Sequence, residues 1–283
     1  MPHTDSSSHP PLRALARLVM APDWLGAPLA CLSGPNSYLA IQRQDIVERR
    51  FQARRVRYFA ALTVQAGPFA GLRYHIDQSH GSALDPKLLG TYESELHPAL
   101  DRFRTQTYDD LVDIGFAEGY YLVGLSQWFP RATAWGFDLS ADAHRLCHGL
   151  AAINGIAPDR LHLAGEATEA ALAPALARRA LVVCDCEGCE GGLFAAGRIE
   201  RWKRADLLIE CHDFIEPGVT ASIRERLAPT HDIELIGTLD NQLKVSQLPP
   251  SIDPGFSADE RLRLVNEGRP TAQTWIVAVA RAH

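Results

Sequence analysis

The sequence predicts an α/β protein: a doubly wound, mostly parallel seven-stranded sheet with helices on both faces, preceded by a partly helical N-terminal extension. Three observations predict it. From residue 108 onward, apolar runs of strand length alternate with stretches of helical periodicity. Turn and cap residues such as Pro130, Ser140 and Asn154-Gly155 separate them. One unit, LVDIGFAEGYYLVGL at 111–125, ends a strand on an acid, turns on two glycines and enters a helix at once.

The elements follow in order. Residues 1–65 read as an extension, suited to a lid or an oligomer contact. MPHTDSSSHPP is polar and proline-rich, which predicts a disordered tail. Residues 12–42 are broken by Pro22, Gly26, Pro28, Gly34 and Pro35 and carry no firm assignment. DIVERRFQARRVRYFAAL at 45–62 predicts a helix, with Asp45 and Glu48 as a capping box and Ile46, Phe51, Val56 and Phe59 on its apolar side. Arg49, Arg50, Arg54, Arg55 and Arg57 make it basic. That reads as a solvated face with acidic partners, or as a patch for an anionic ligand.

Residues 66–283 read as the main domain. Its strands are predicted at DLVDIG, TAWGFD, RLHLAG, ALVVCD, DLLIECH, DIELIGT and TWIVAVA. Between them lie helices at GYYLVGLSQWF, ADAHRLCHGLAAIN, TEAALAPALARR and GVTASIRERLA. The second is capped by Ser140, and Pro174 weakens the third. An insertion at 239–272 separates the last two strands, with Ser257 and Glu260 fitting a capping box. So long a connection suggests a substrate-facing element or a subunit contact.

Composition narrows the function. The chain has 283 residues, 46% hydrophobic and 22% charged, enough to build a packed core. A net charge of −6 argues against bulk attraction to nucleic acid or anionic membrane. No apolar run is long enough to span a bilayer. LARLVMAPDWLGAPLACL is interrupted by Arg17, Pro22 and Asp23, and Asp5 precedes it, so it is not read as an exported leader. The cytosol is the expected compartment. Six cysteines, unevenly spread, do not read as a disulfide framework. They are expected free, packing as small apolar residues.

In a doubly wound sheet, ligands sit beyond the carboxyl ends of the strands, where the strand order reverses. The first strand here ends at Asp113, and Gly115 and Gly119 flank the turn after it. The next strand ends at Asp138, where an acid can accept hydrogen bonds from both ribose hydroxyls. Dinucleotide binders carry G-x-G-x-x-G because a pyrophosphate passes over the loop. This loop is D-x-G-x-x-x-G. It suits a cofactor with a ribose, a cationic centre and no phosphate.

At these residues the sequence resembles class I S-adenosylmethionine-dependent methyltransferases, a Rossmann-like fold. VDIGFAEG is similar to their first motif and WGFDLS to their second. LLGTYESELHPAL, VCDCEGCEGGLF and LLIECHDF resemble, more narrowly, segments of the FkbM-like methyltransferases. That group includes O-methyltransferases of sugar and natural-product hydroxyls. The resemblance covers roughly residues 90–283. It implies that Asp113, Gly115, Glu118 and Gly119 shape the methionine side of the cofactor, and that Asp138 and Leu139 belong to the ribose side. It places Glu166 and Ala167 at the adenine, and Tyr92 and Glu93 over the carboxylate or methyl group.

Methyl transfer to an alcohol needs positioning and a proton acceptor. The ends of the fourth and fifth strands supply Asp185, Glu187 and Glu190, then Glu210, His212 and Asp213. His212 is the expected base, because its ordinary pKa of about 6.5 lies near working pH. Asp185 and Glu187 are the expected supporting acids, and Asp185 also borders the cofactor. The same acids can hold magnesium or manganese, with Asp185, Glu210 and Asp213 the expected trio. A zinc site through Cys186 and Cys189 is a further alternative.

The leading expectation is an S-adenosylmethionine-dependent O-methyltransferase acting on a small-molecule hydroxyl. Peptide or protein carboxylate methylation, an NAD-type oxidoreductase and a non-catalytic cofactor-binding module are the alternatives. A small-molecule or peptide acceptor and a homodimer are the expected partners.

Overall fold

The computed structural model describes residues 10–281. The chain divides into two compact units, meeting between Ala60 and Ala61. The sequence reading put this boundary at 65.

The first unit is helical: α1 (Pro10–Met20), α2 (Asp23–Leu32) and α3 (Tyr38–Tyr58). The stretch without assignment therefore forms two helices, and only residues 1–9 of the expected tail lie outside the described residues. The expected start of the basic helix is corrected. Ser37 is its N-cap, accepting a hydrogen bond from Ala40 N at 3.1 Å. Asp45 lies inside the helix and pairs with Arg49 at 3.2 Å and Arg17 at 3.5 Å. Arg43 donates to the Met20 carbonyl at 2.8 Å and Arg50 to the Ala21 carbonyl at 2.7 Å, and both pair with Asp23. Part of the basic surface thus holds the helices of this unit together.

The second unit is built on seven strands: β1 (Asp110–Ile114), β2 (Thr133–Phe137), β3 (Leu161–Ala164), β4 (Ala180–Cys184), β5 (Ala205–Cys211), β6 (His231–Gly237) and β7 (Thr274–Ala280). Their order is β3-β2-β1-β4-β5-β7-β6. The first five are mutually parallel, and β7 runs antiparallel between β5 and β6. Every residue of β1, β4 and β5 is buried, which explains why their sequences are continuous apolar runs rather than alternating ones.

The helices are α4 (Leu84–Leu89), α5 (His97–Arg104), α6 (Tyr120–Trp128), α7 (Ala141–Ile153), α8 (Glu169–Ala175), α9 (Glu190–Leu193), α10 (Val219–Leu227), α11 (Asn241–Ser246) and α12 (Ala258–Leu264). The Ser140 cap forms, and the Ser257–Glu260 capping box is complete. Among the described residues no single helix is long and apolar enough to cross a membrane.

β6 is tied to the start of β5 by His231, which is buried. Its Nε2 donates to the Ala205 carbonyl at 3.0 Å, and its Nδ1 accepts from Thr230 Oγ1 at 2.8 Å. Burial lowers its pKa below the ordinary histidine value, against the opposing hydrogen bonds. The unfolded chain then binds a proton that the folded chain refuses, so stability falls as pH drops below about 6.5. Melting temperatures from pH 8 to 5.5 should decline less steeply in His231→Gln than in the parent. Parallel curves would show that another group sets the slope.

Candidate functional site

The loop after β1 is shaped by close backbone approach. Gly115 (φ +83°) donates its N–H to the Phe137 carbonyl at 2.8 Å. A Cβ there would overlap the carbonyl oxygen of Asp185, so the ends of β1 and β4 come together only over a glycine. Gly119 (φ +93°) caps α6, and a Cβ on it would lie 2.6 Å from Cys147 Sγ. Asp113 is buried, and it accepts from Leu122 N at 3.0 Å, strapping the first turn of α6 to β1. Burial and the Asp185 charge raise its pKa.

Beyond the carboxyl ends of β1, β2, β4 and β5 lies a cavity of about 1010 Å³. The strand order reverses here, with β1 and β4 side by side. Asp113, Gly115, Asp138, Leu139, Glu166 and Ala167 border it, as does Tyr92. Asp138 is held by two backbone donors, Ser140 N to Oδ1 at 2.8 Å and Ala117 N to Oδ2 at 3.0 Å. A carboxylate oxygen has two lone pairs, so each keeps one for a ligand hydroxyl. Leu139 is 84% exposed, an apolar side chain placed at the rim. Gly165 has open space where a Cβ would stand. An acid with spare acceptor capacity beside apolar surface fits a ribose-bearing cofactor such as S-adenosylmethionine.

Three expected cofactor residues do not border the cavity: Glu93, Glu118 and Gly119. Glu118 accepts from Tyr74 Oη at 3.0 Å and from His80 N at 3.1 Å, and pairs with buried Lys87. Burial alone would raise its pKa, but the Lys87 ammonium and the His80 N–H lower it. Glu93 (φ +46°) pairs with Arg269 and accepts from Tyr121 Oη. Burial, stronger than the Arg269 charge, lifts its pKa to about 7.

The other end of the cavity is acidic. Asp185, Glu187 and Glu210 border it, with Glu267 and Arg269 arriving from the insertion. Arg269 pairs with Glu93, Glu210 and Glu267. Burial and the neighbouring Asp185 charge push Glu210 up to about 11, and burial also raises Asp185. His212 does not border the cavity. It is fully buried behind these acids, with Nδ1 2.8 Å from Glu190 Oε1. Burial alone would lower its pKa, yet the Glu190 hydrogen bond and the charges of Glu190, Asp185 and Glu187 raise it.

Two expectations change here. Asp213 does not join Asp185 and Glu210. It accepts from Gly218 N at 3.0 Å and from Thr220, holding the start of α10. Cys186 and Cys189 are not free thiols but a disulfide, closing the loop that holds Glu187 (φ +53°) and Gly188 (φ +106°). Two sulfurs bonded to each other cannot form a zinc-binding thiolate pair.

Lys87 and Arg269 went unread in the sequence. Lys87 is one cation in the apolar run LDPKLL, and Arg269 sits in a long connection. Neither pattern points to its distant partners: Lys87 meets Glu118, and Arg269 meets Glu93 and Glu210 as well as its near neighbour Glu267.

No family model and no curated protein matches the chain. Solved structures do. A precorrin-6y C5,15-methyltransferase from Geobacter metallireducens is 10% identical, with 64% of this chain and 85% of that one covered and a TM-score of 0.43. The O-methyltransferase TomG from Streptomyces achromogenes, in complex with S-adenosylmethionine, is 13% identical over 67% and 80%, with a TM-score of 0.43. An O-methyltransferase from Bacillus cereus, in complex with S-adenosylhomocysteine, is 10% identical over 63% and 77%, with a TM-score of 0.42. Likeness of this degree leaves reaction and acceptor to be argued from the site.

Proposed function

We propose that the protein is an S-adenosylmethionine-dependent methyltransferase acting on a hydroxyl of a sugar or natural-product-type small molecule. One observation carries this reading. A single cavity joins the Asp138 end, suited to a ribose, to the Asp185–Glu187–Glu210 end, suited to an acceptor. In the reaction the acceptor oxygen bonds the methyl carbon as the carbon–sulfonium bond breaks. The electron pair stays on sulfur, leaving S-adenosylhomocysteine, and the hydroxyl proton passes to the carboxylates bordering the cavity. The leaving group is already good, so the protein's main task is positioning.

The acceptor end also weighs against the carboxylate alternative. An incoming carboxylate would meet Asp185 and Glu187, while Arg269 is already engaged by three acids. A neutral hydroxyl meets no such repulsion. The loop after β1 lacks the glycine spacing of a pyrophosphate site, which weighs against NAD.

Calorimetry tests the cofactor. S-adenosylhomocysteine should bind and NAD should not. Asp138→Ala should weaken S-adenosylhomocysteine by about 1–3 kcal/mol, because the ribose loses a charged acceptor. Binding of NAD in place of S-adenosylhomocysteine would overturn the reading. Turnover with a hydroxylated acceptor, seen as a one-methyl mass shift, separates an enzyme from a binding module.

A further inference from the structure

We propose that His212, Asp185 and Glu187 bind a divalent metal ion of the manganese class at the acceptor end of the cavity. The imidazole of His212 is fully buried, and it is oriented from one side only. Its Nδ1–H donates to Glu190 Oε1 at 2.8 Å, and Glu190 is itself fully buried. A carboxylate at Nδ1 keeps a ring proton there and leaves Nε2, on the other side, as the atom that a cation would take in place of a proton. Metal-binding histidines are commonly held in this fashion.

That Nε2 has no hydrogen-bond partner, although it is buried, and neither has Asp185 Oδ1. The two atoms face each other at 3.6 Å, and Glu187 Oε2 lies 3.3 Å from Nε2. One donor atom from each of the three residues falls within 4.8 Å of the others. Donors each about 2.0–2.2 Å from one ion must lie within about 4.4 Å of each other. The two distances from Nε2 meet that condition. Glu210 Oε2, at 3.9 Å from Nε2, adds a further oxygen near the same point.

Charge supports the same conclusion. Asp185, Glu187 and Glu190 surround this imidazole. A cation at Nε2 answers that concentration of acid and gives both unpartnered atoms a ligand. The donor set also selects the ion. Magnesium prefers oxygen alone, whereas one imidazole with carboxylates suits manganese and its first-row neighbours. The cysteines nearby do not compete, since Cys186 and Cys189 are bonded to each other.

The ion's role rests on the proposed methyl transfer, although its binding does not. Asp185 and Glu187 border the cavity, so an ion between them and His212 is within reach of an acceptor oxygen. Coordination there lowers the pKa of a hydroxyl. Glu187 can hold the ion through one oxygen and take the proton on the other. This assigns His212 to holding the ion, in place of the base expected from sequence. It favours acceptors with two adjacent oxygens, which can chelate.

The test uses the full chain after exhaustive chelation and dialysis. Manganese(II) is titrated in and followed by electron paramagnetic resonance, and S-adenosylhomocysteine binding is measured on the same samples by calorimetry. One manganese per chain should bind. Glu187→Gln and His212→Gln should each weaken it about tenfold or more, by analogy with other losses in metal-site shells. The Glu187 side chain is 71% exposed, so its variant should fold even if the His212 variant does not. No stoichiometric manganese binding would overturn the site, as would an affinity unchanged in Glu187→Gln. Such a result beside intact S-adenosylhomocysteine binding leaves the methyltransferase reading standing. Manganese binding without S-adenosylhomocysteine binding leaves the metal site and removes that reading.

Discussion

Replacing Lys87 with methionine should lower the unfolding free energy by about 3–5 kcal/mol, the usual cost of stranding one partner of a buried ion pair. Lys87 and Glu118 are both only 2% exposed. The ammonium pairs with Glu118, donates to Ser82 Oγ at 2.8 Å and Ser79 Oγ at 3.1 Å, and lies 4.7 Å from the centre of the Tyr92 ring. Methionine keeps the stem but leaves the Glu118 charge with two neutral donors, Tyr74 Oη and His80 N. The sign with pH follows. In the parent the lowered Glu118 pKa contributes stability above the ordinary glutamate value and loses it as pH falls through the folded pKa. In the variant burial wins, the folded pKa rises, and the deficit should shrink as the carboxyl takes up a proton. Urea denaturation at pH 7 and at pH 5 reads both effects. The double variant Lys87→Met/Glu118→Gln should recover much of the loss, since no buried charge remains. A loss below about 1 kcal/mol, or strict additivity of the two changes, would remove the pair from the account.

Gly115→Ala is the second large expectation, at about 2–5 kcal/mol. Its φ of +83° costs an L-residue about 1–2 kcal/mol. The added methyl would also overlap the Asp185 carbonyl, which is backbone at a strand end and cannot rotate away. Overpacking of this kind adds about 1–3 kcal/mol. Gly155→Ala is the control, with φ +74° and nothing within 4 Å of the new methyl. It should pay only the backbone cost. Gly115→Ala should also weaken S-adenosylhomocysteine, because the displaced Asp185 borders the cavity. Equal destabilisation by the two alanines would show that conformation matters at Gly115 and the close approach does not.

These two residues mark the limits of sequence reading. Gly115 was legible because its reason is local: a strand must turn sharply into a helix, and the adjoining residues show both. The same holds for β1, β4 and β5, whose burial on both faces makes them largely apolar runs, and for the Ser140 and Ser257 caps. Lys87 was illegible because its partner Glu118 lies far along the chain, in the loop between β1 and α6. The basic helix misled for a related reason. Asp45 with Glu48 has the spacing of a cap, but Ser37 supplies one earlier and a helix needs only one.

The acids divide along the same line. That a cluster gathers at the ends of β4 and β5 followed from DCEGCE and ECHD alone, since those strands are parallel neighbours and their ends must coincide. Which member does what is a matter of ångströms and burial, and one sequence carries neither. Folding sends Asp213 to the start of α10, buries His212 behind Asp185 and Glu187, and joins Cys186 to Cys189. It also brings Arg269 from the insertion to two distant glutamates, Glu93 and Glu210. The sequence by itself determined the strands, the switch point and the acids at the ends of β1, β2, β4 and β5, because periodicity and turn chemistry are properties of neighbours in the chain. The tertiary structure decided the ion pairs and the donor set around His212, because desolvation and charge act between residues that only folding brings together.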